Sequence, residues 1–313
     1  MTTRDIDFRG VFPILATPFH PDETLDLESM RRQVEFMAAV GANGITVLGV
    51  LGESNRMSDR DRERIIETSV AAAGAMPVIV GTSHTGTNAT IDLTQMAQDL
   101  GAAAVMIAPS YEPIPSDERV IDYFGRVAAA TSIPIVAQDH PASTQVHMAV
   151  PVLLRLLSSV PQIVCMKEEG VPTPQRVAAL RRGLDRPFPI LTGLGALYGL
   201  FDLEQGSEGF NTGFAFPEVL IAMVEAHRRG DLDAVRRIYA RFLPLIVFEQ
   251  QPGTAIRKEI LRRRGLIDTS TVRHPGAGLA PEIGEQLARL LDWLLPGVDL
   301  ARPLVLDEAL ARP

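Results

Sequence analysis

Short apolar runs alternate with helix-length amphipathic segments along most of this 313-residue chain, and that alternation constrains its fold more than any other feature. The runs read as strands at residues 10–17, 44–50, 77–82, 103–108, 133–138, 163–167 and 187–192, with a weaker one at 209–212. Between them, residues 27–40, 58–75, 88–100, 116–131, 149–159, 174–183 and 195–203 carry apolar side chains at helical spacing. Ser58 and Ser116, each followed at once by acidic residues, are helix-starting signals, and Gly101 after Leu100 is a stop. Strands fed by helices in strict alternation imply parallel pairing, because parallel neighbours need crossover connections. The runs are almost uninterruptedly apolar, as expected when both faces of a sheet are covered.

Eight such units in about 215 residues match an α/β (β/α)8 TIM barrel, whose usual span is about 250 residues. A doubly wound open sheet is the alternative. Its dinucleotide turn would have to be Gly193-Leu194-Gly195-Ala196-Leu197-Tyr198-Gly199, which follows the seventh strand rather than the first and has unsuitable glycine spacing. After Arg228-Arg229-Gly230-Asp231 the strand pattern stops, and helical stretches follow at 232–248, 254–264 and 281–295. The expected division is therefore a catalytic barrel domain over 1–230 and a C-terminal helical domain over 231–313.

A net charge of −8 argues against a nucleic-acid partner. The longest basic run, Arg262-Arg263-Arg264, follows Lys258 on a predicted helix and reads as a solvated face. A single cysteine, Cys165, excludes an internal disulfide and a cysteine-based zinc site, and it reads as a small buried hydrophobe in the sixth strand. The N-terminal residues Met1–Asp7 are charged where a signal peptide would be apolar, and no segment supplies the run of about 18 apolar residues that a membrane span needs. The expectation is a cytoplasmic protein with no membrane partner.

The chain has only two lysines, Lys167 and Lys258, and otherwise uses arginine as its cation. Arginine stays protonated, whereas a desolvated lysine can become a nucleophile. Lys167 ends the sixth strand, so it is a Schiff-base candidate; a strand-end lysine that faces solvent or pairs with Glu168 is the alternative. A barrel of this kind carries its active site at the C-terminal ends of its strands. Three of those ends are chemically rich: residues 49–54 after strand two, Gln138-Asp139-His140-Pro141 after strand five, and Lys167-Glu168-Glu169 after strand six. A lysine there can condense with a ketone, and the resulting iminium is an electron sink, so neither metal nor cofactor is required. The glycine-containing turn Val50-Leu51-Gly52-Glu53 can offer backbone N–H groups to the carboxylate of a 2-keto acid, although an ordinary strand-to-helix loop explains its glycines almost as well. Glu53 reads first as a residue that orients this turn.

These motifs resemble the dihydrodipicolinate synthase/N-acetylneuraminate lyase family. Gly10-Val11-Phe12-Pro13 and Thr17-Pro18-Phe19 look like its first-strand signature, followed by the acidic turn Asp22-Glu23. Gly41-Ala42-Asn43-Gly44-Ile45 and Gly52-Glu53 look like the second-strand block, and Pro134-Ile135 with Pro141 the fifth. Met166-Lys167-Glu168 is similar to the Schiff-base lysine motif. The resemblance covers almost the whole chain and implies a pyruvate-type class I lyase that works as a homo-tetramer or homo-dimer on a small 2-keto acid.

The departures are equally informative. Where lysine-pathway synthases carry Thr-Thr-Gly-Glu, this chain has Val50-Leu51-Gly52-Glu53, and where the family has a catalytic tyrosine it has Gln138. Ser143 falls where true synthases place an arginine for a second carboxylate. Glutamine does not titrate, so it cannot serve as the acid/base of a retro-aldol step. Gln138-Asp139 with Pro141-Ala142-Ser143, then Asn211-Thr212-Gly213, Phe216-Pro217 and Arg273-His274-Pro275, resemble instead the L-2-keto-3-deoxyarabonate dehydratase branch. That resemblance implies catalysis by Lys167 with Glu169 as acid/base, and substrate binding by Val50, Leu51, Gly52, Glu53, Gln138, Asn211 and Thr212. Glu168 reads as structural, and Asp139 and His140 as weaker polar candidates. A pyruvate-dependent aldolase, a dihydrodipicolinate synthase with altered relay groups, and a non-catalytic metabolite-binding barrel stay open beside the dehydratase.

Overall fold

A computed structural model describes residues 6–109, 116–251 and 253–306; the charged N-terminal residues 1–5 and the last seven residues of the C-terminal stretch lie outside the described residues. Eight parallel strands alternate with helices. In chain order they begin β1 (Gly10–Val11), α1 (Leu27–Ala39), β2 (Ile45–Val47), α2 (Asp59–Ala73), β3 (Val78–Gly81), α3 (Thr87–Asp99), β4 (Ala104–Ile107) and α4 (Asp117–Ala130). They continue with β5 (Ile135–Asp139), a single-turn α5 (Pro141–Thr144), α6 (Val150–Ser159), β6 (Ile163–Glu168), α7 (Thr173–Gly183), β7 (Ile190–Thr192), α8 (Gly199–Glu204), β8 (Gly209–Phe210) and α9 (Pro217–Arg228). Three further helices follow: α10 (Leu232–Phe248), α11 (Gly253–Arg263) and α12 (Pro281–Leu294).

The strand order β1-β8-β7-β6-β5-β4-β3-β2 is that of a barrel. It closes through the parallel bridge between Ile14 and Thr46, where the Leu15 N–H donates to the Thr46 carbonyl at 2.9 Å and the Thr46 N–H to that of Pro13 at 2.8 Å. The lumen is packed rather than hollow: Phe8, Phe12, Ile79, Ala104, Met106, Val136, Cys165 and Leu191 form one buried cluster. The opposite face of each strand packs on the helices. Strand residues alternate between these two layers, and this sets Gln138 and Lys167 inward, on the faces of Val136 and Cys165, while Asp139 and Glu168 point outward beneath α7.

The caps form as the sequence implies. Ser58 and Asp61 make a reciprocal capping box, Ser116 accepts from the Arg119 N–H, and Gly101 takes positive φ just past α3. Most strands are shorter than the apolar runs, but β5 and β6 each extend one residue beyond them, to Asp139 and Glu168. Two expectations are corrected. The helix placed at 195–203 starts only at Gly199, because Leu194, Gly195 and Ala196 take left-handed backbone with φ of 51°, 64° and 63°. The basic run at 262–264 is not one solvated face: Arg264 is 1 % exposed and pairs with Glu218 at 2.5 Å.

The C-terminal helices join the barrel through a second buried cluster that includes Val11, Phe210 and Val219 from the barrel with Phe242, Ile256 and Leu291 from α10, α11 and α12. Three buried cations on α11 or just past its end add polar ties. Arg257 pairs with Glu249 at 2.9 Å, Lys258 with Glu53, and Arg264 with Glu218. No helix among the described residues is long and apolar enough to cross a membrane.

Candidate active site

Parallel register sets Gln138 beside Lys167 on neighbouring strands, both facing the barrel mouth. Glu169 lies two residues beyond Lys167, hence on the same face, and its backbone N–H donates to the Asp139 carbonyl at 2.9 Å. The three side chains meet. Gln138 Nε2 donates to Glu169 Oε2 at 2.7 Å, and Lys167 Nζ lies 3.1 Å from the same oxygen. Lys167 is 2 % exposed and Glu169 5 %, so this is a desolvated pair rather than a surface salt bridge. The alternative in which Lys167 faces solvent or pairs with Glu168 is corrected: its partner is Glu169.

The other carboxylate oxygen, Oε1, accepts the Leu194 N–H at 3.1 Å. That donor is available because residues 194–196 adopt the left-handed backbone, which Leu and Ala rarely take. Gly195 passes its own N–H to Thr212 Oγ1 at 2.8 Å, and Gln250 Nε2 donates to the Leu194 carbonyl at 3.2 Å. Burial acts to raise the Glu169 pKa, but the adjacent Lys167 ammonium, the charge of nearby His140 and the hydrogen bonds from Gln138 and Leu194 outweigh it and hold the group below the usual carboxylate range. Leu194 is the contributor that sequence reasoning missed; no side-chain pattern announces a backbone donor.

Room for this carboxylate depends on Gly193. A Cβ there would fall 1.9 Å from Glu169 Oε1 and 2.4 Å from its Cδ. Gly193→Ala is therefore expected to dislodge the carboxylate. If Glu169 is the acid/base and Lys167 the imine-forming residue, turnover should fall by about 10²-fold or more while a borohydride-trapped adduct still forms; parallel turnover and trapping assays check this.

Behind the trio, Arg176 of α7 reaches Asp139 at 2.5 Å, Glu168 at 2.9 Å and the Met148 carbonyl at 2.9 Å, tying β5 to β6. Glu168 Oε1 also accepts the Gly170 N–H at 2.7 Å. Burial raises the pKa of both carboxylates, against the pull of Arg176. Glu168 thus has the structural contacts read for it. His140 hydrogen-bonds Ser143 Oγ through Nδ1 at 2.6 Å, and burial lowers its pKa. Cys165 is fully buried in the lumen, and burial pushes its thiol far up.

The turn after β2 consists of two 3-10 turns, Val50–Gly52 and Ser54–Arg56, joined at Glu53. Among the described residues the Val50 and Leu51 N–H groups find no acceptor, whereas those of Gly52 and Glu53 close back on Gly49 and Val50. The Gly52 carbonyl accepts Thr17 Oγ1 at 2.7 Å. The Val50 side chain is exposed, and Leu51 packs toward Gly213. The Glu53 carboxylate is turned to Lys258, Arg56 and the Arg273 N–H, which fits an orienting role. At the end of β8, Asn211 donates to Thr46 Oγ1 at 2.8 Å, and Thr212 is held by the Gly195 N–H. Gln138, Lys167 and Glu169 thus come together, Thr212 joins them through the 194–196 turn, and Glu53 stays apart.

A model of the dihydrodipicolinate synthetase family matches residues 7–293. The chain belongs to that family. Members of the dihydrodipicolinate synthetase family are lyases, and this chain is an enzyme of that class, of hydro-lyase or aldolase type. An L-2-keto-3-deoxyarabonate dehydratase of Azospirillum brasilense is 34 % identical over 297 residues, covering 92 % of this chain and 96 % of the relative. A 4-hydroxy-tetrahydrodipicolinate synthase of Methanothrix thermoacetophila is 32 % identical over 298 residues, covering 94 % and 98 %. The crystal structure of a dihydrodipicolinate synthase from Rhodopseudomonas palustris superposes with a TM-score of 0.87 at 35 % identity, covering 91 % of this chain and 97 % of that one.

Proposed function

We propose that this family member is a Schiff-base lyase that removes water from a 2-keto-3-deoxy sugar acid. The observation that carries the reading is the contact of one Glu169 oxygen with both Lys167 Nζ and Gln138 Nε2. It sets a buried, ionised base beside the candidate nucleophile, at the position where the family's tyrosine is replaced by an amide that cannot titrate. The dehydratase relative supports the same reading.

The sequence of steps follows from these positions. The substrate carboxylate sits on the Val50 and Leu51 N–H groups, with Gly52 and Glu53 shaping the turn. Lys167 Nζ adds to C2, water leaves, and an iminium forms. Glu169 removes a proton from C3, giving an enamine. The enamine electron pair expels the C4 hydroxyl, which takes the proton back from Glu169 and departs as water. In a five-carbon substrate, loss of a C5 proton from the conjugated iminium gives a dienamine, protonation at C3 leaves a C4–C5 enol, and protonation at C4 with loss of the enol O–H proton converts C5 to an aldehyde. Hydrolysis then frees Lys167 and a 2,5-dioxo acid. Gln138 holds the Glu169 carboxylate, and Asn211 and Thr212 line the β8 side. In this reading a barrel domain over 1–230 supplies these groups, and a helical domain over 231–313 braces them through α10, α11 and α12. The same reading includes a homo-dimer or homo-tetramer in the cytoplasm, with no cofactor.

Supplying 2-keto-3-deoxy-pentonate and identifying the product by mass and NMR tests this. A 2,5-dioxo acid is expected, and released pyruvate would overturn it. Pyruvate release would favour the second reading, a pyruvate-dependent aldolase or synthase, which the 32 % identical synthase relative supports through the same iminium.

A further inference from the structure

The second of the two lysines has no part in the chemistry above, yet Lys258 is 0 % exposed. It projects from α11 into the back of the turn after β2, where Nζ is paired with Glu53 Oε1. The ammonium also donates to the Thr271 carbonyl at 2.7 Å and lies 4.3 Å from the centre of the Phe19 ring. The second Glu53 oxygen accepts Arg56 Nη1 at 2.7 Å and the Arg273 N–H at 3.0 Å. The Arg273 guanidinium stacks on Phe19 at 4.4 Å and pairs with Asp61 at 2.8 Å. A charge pair this deeply buried is a weak source of stability, because desolvation offsets most of the attraction. Its geometry is specific, however, and it is applied to one unusual residue. Glu53 holds φ 56° and ψ 33°, a left-handed conformation uncommon for a residue with a Cβ, at the junction of the two 3-10 turns.

We propose that Lys258 is a positioning residue: from α11 it fixes Glu53, and through the left-handed backbone of Glu53 it sets the Val50 and Leu51 N–H groups against the substrate carboxylate. This rests on the reading of residues 50–54 as the carboxylate site. Lys258 touches neither substrate nor Lys167. Its effect is on carboxylate recognition rather than on iminium chemistry, and this separates it from a contact that only holds the fold.

The test compares two probes, pyruvate and hydroxyacetone. Both present a ketone to Lys167, and only pyruvate carries a carboxylate. Borohydride trapping read by intact mass gives the half-saturating concentration of each for the parent protein, Lys258→Met and Glu53→Gln, with folding checked by circular dichroism. For both variants the pyruvate value should rise about tenfold or more, the equivalent of one lost charge-assisted contact, while the hydroxyacetone value stays within about twofold, well below the tenfold step of one such contact. Glu53→Gln guards against a folding failure of Lys258→Met, because burial already pushes the Lys258 ammonium down to about 8 and the lysine can go neutral opposite an amide. Equal losses for both probes, no change in a folded variant, or failure of both variants to fold would each overturn the proposal. Failure of the underlying reading shows separately, in the parent protein, as no pyruvate adduct or no preference for pyruvate over hydroxyacetone.

Discussion

Lys167→Ala is expected to form no adduct when incubated with pyruvate and borohydride, whereas the parent chain gains the mass of one reduced pyruvate. Turnover should fall by about four orders of magnitude or more, the scale seen when a covalent nucleophile is removed. Lys167 is the lysine that the barrel presents at its mouth; Lys258, the other one, is committed to Glu53 and Thr271. The substitution also leaves Glu169 without its cation. Burial then acts on that carboxylate with less opposition and moves its pKa up toward protonation. The variant should therefore be checked for folding by circular dichroism, so that a missing adduct reports chemistry and not collapse. An adduct of full yield in Lys167→Ala would remove the Schiff-base mechanism, and no adduct in the parent with any 2-keto acid would favour the non-catalytic barrel.

Glu169→Gln should separate the two halves of the mechanism. The amide keeps the size of the side chain and can still accept the Leu194 N–H, but it carries no proton between C3 and the departing hydroxyl. Turnover on 2-keto-3-deoxy-pentonate is expected to drop about 10²- to 10⁴-fold, the usual contribution of general acid–base catalysis. The pyruvate adduct should still form, because imine formation needs the lysine and a ketone. The parent should keep its activity on the acid side of neutrality better than an ordinary carboxylate base would allow. The Glu169 pKa is held below the usual range, so protonation takes it out of action only at more acidic pH. Unchanged turnover in Glu169→Gln would exclude it as the acid/base.

The barrel was legible because its information is local. Each strand is a short apolar run, each helix starts at a polar cap, and parallel pairing follows from the crossovers. Lys167 was legible for the same reason: it is a rare residue at the tip of a recognisable strand, and Glu169 followed from it. What escaped were contacts made by distant parts of the chain or by backbone alone. Arg257, Lys258 and Arg264 look like the charged face of an exposed helix, and they are buried because Glu249, Glu53 and Glu218 come from three other elements to meet them. The left-handed stretch at 194–196 is invisible for another reason. Only Gly195 in it suits that backbone, and the sequence pattern assigns Gly195 and Ala196 to a helix while leaving Leu194 in the loop before it.

The tie between Glu53 and α11 also bears on the order in which the protein can be completed. During synthesis the turn after β2 emerges early, but the Lys258 ammonium and the Arg273 N–H that hold its carboxylate emerge only after the whole barrel has been made. Contacts of such separation form late, since the loop they close must first be ordered. A nascent chain released from the ribosome just after α9 would have all eight strands, Lys167 and Glu169, and still lack the groups that hold Glu53 in the turn after β2. Completion of the turn is therefore coupled to synthesis of α11 and the segment after it, and a product truncated before them would present Lys167 beside a turn still without the contacts that hold Glu53.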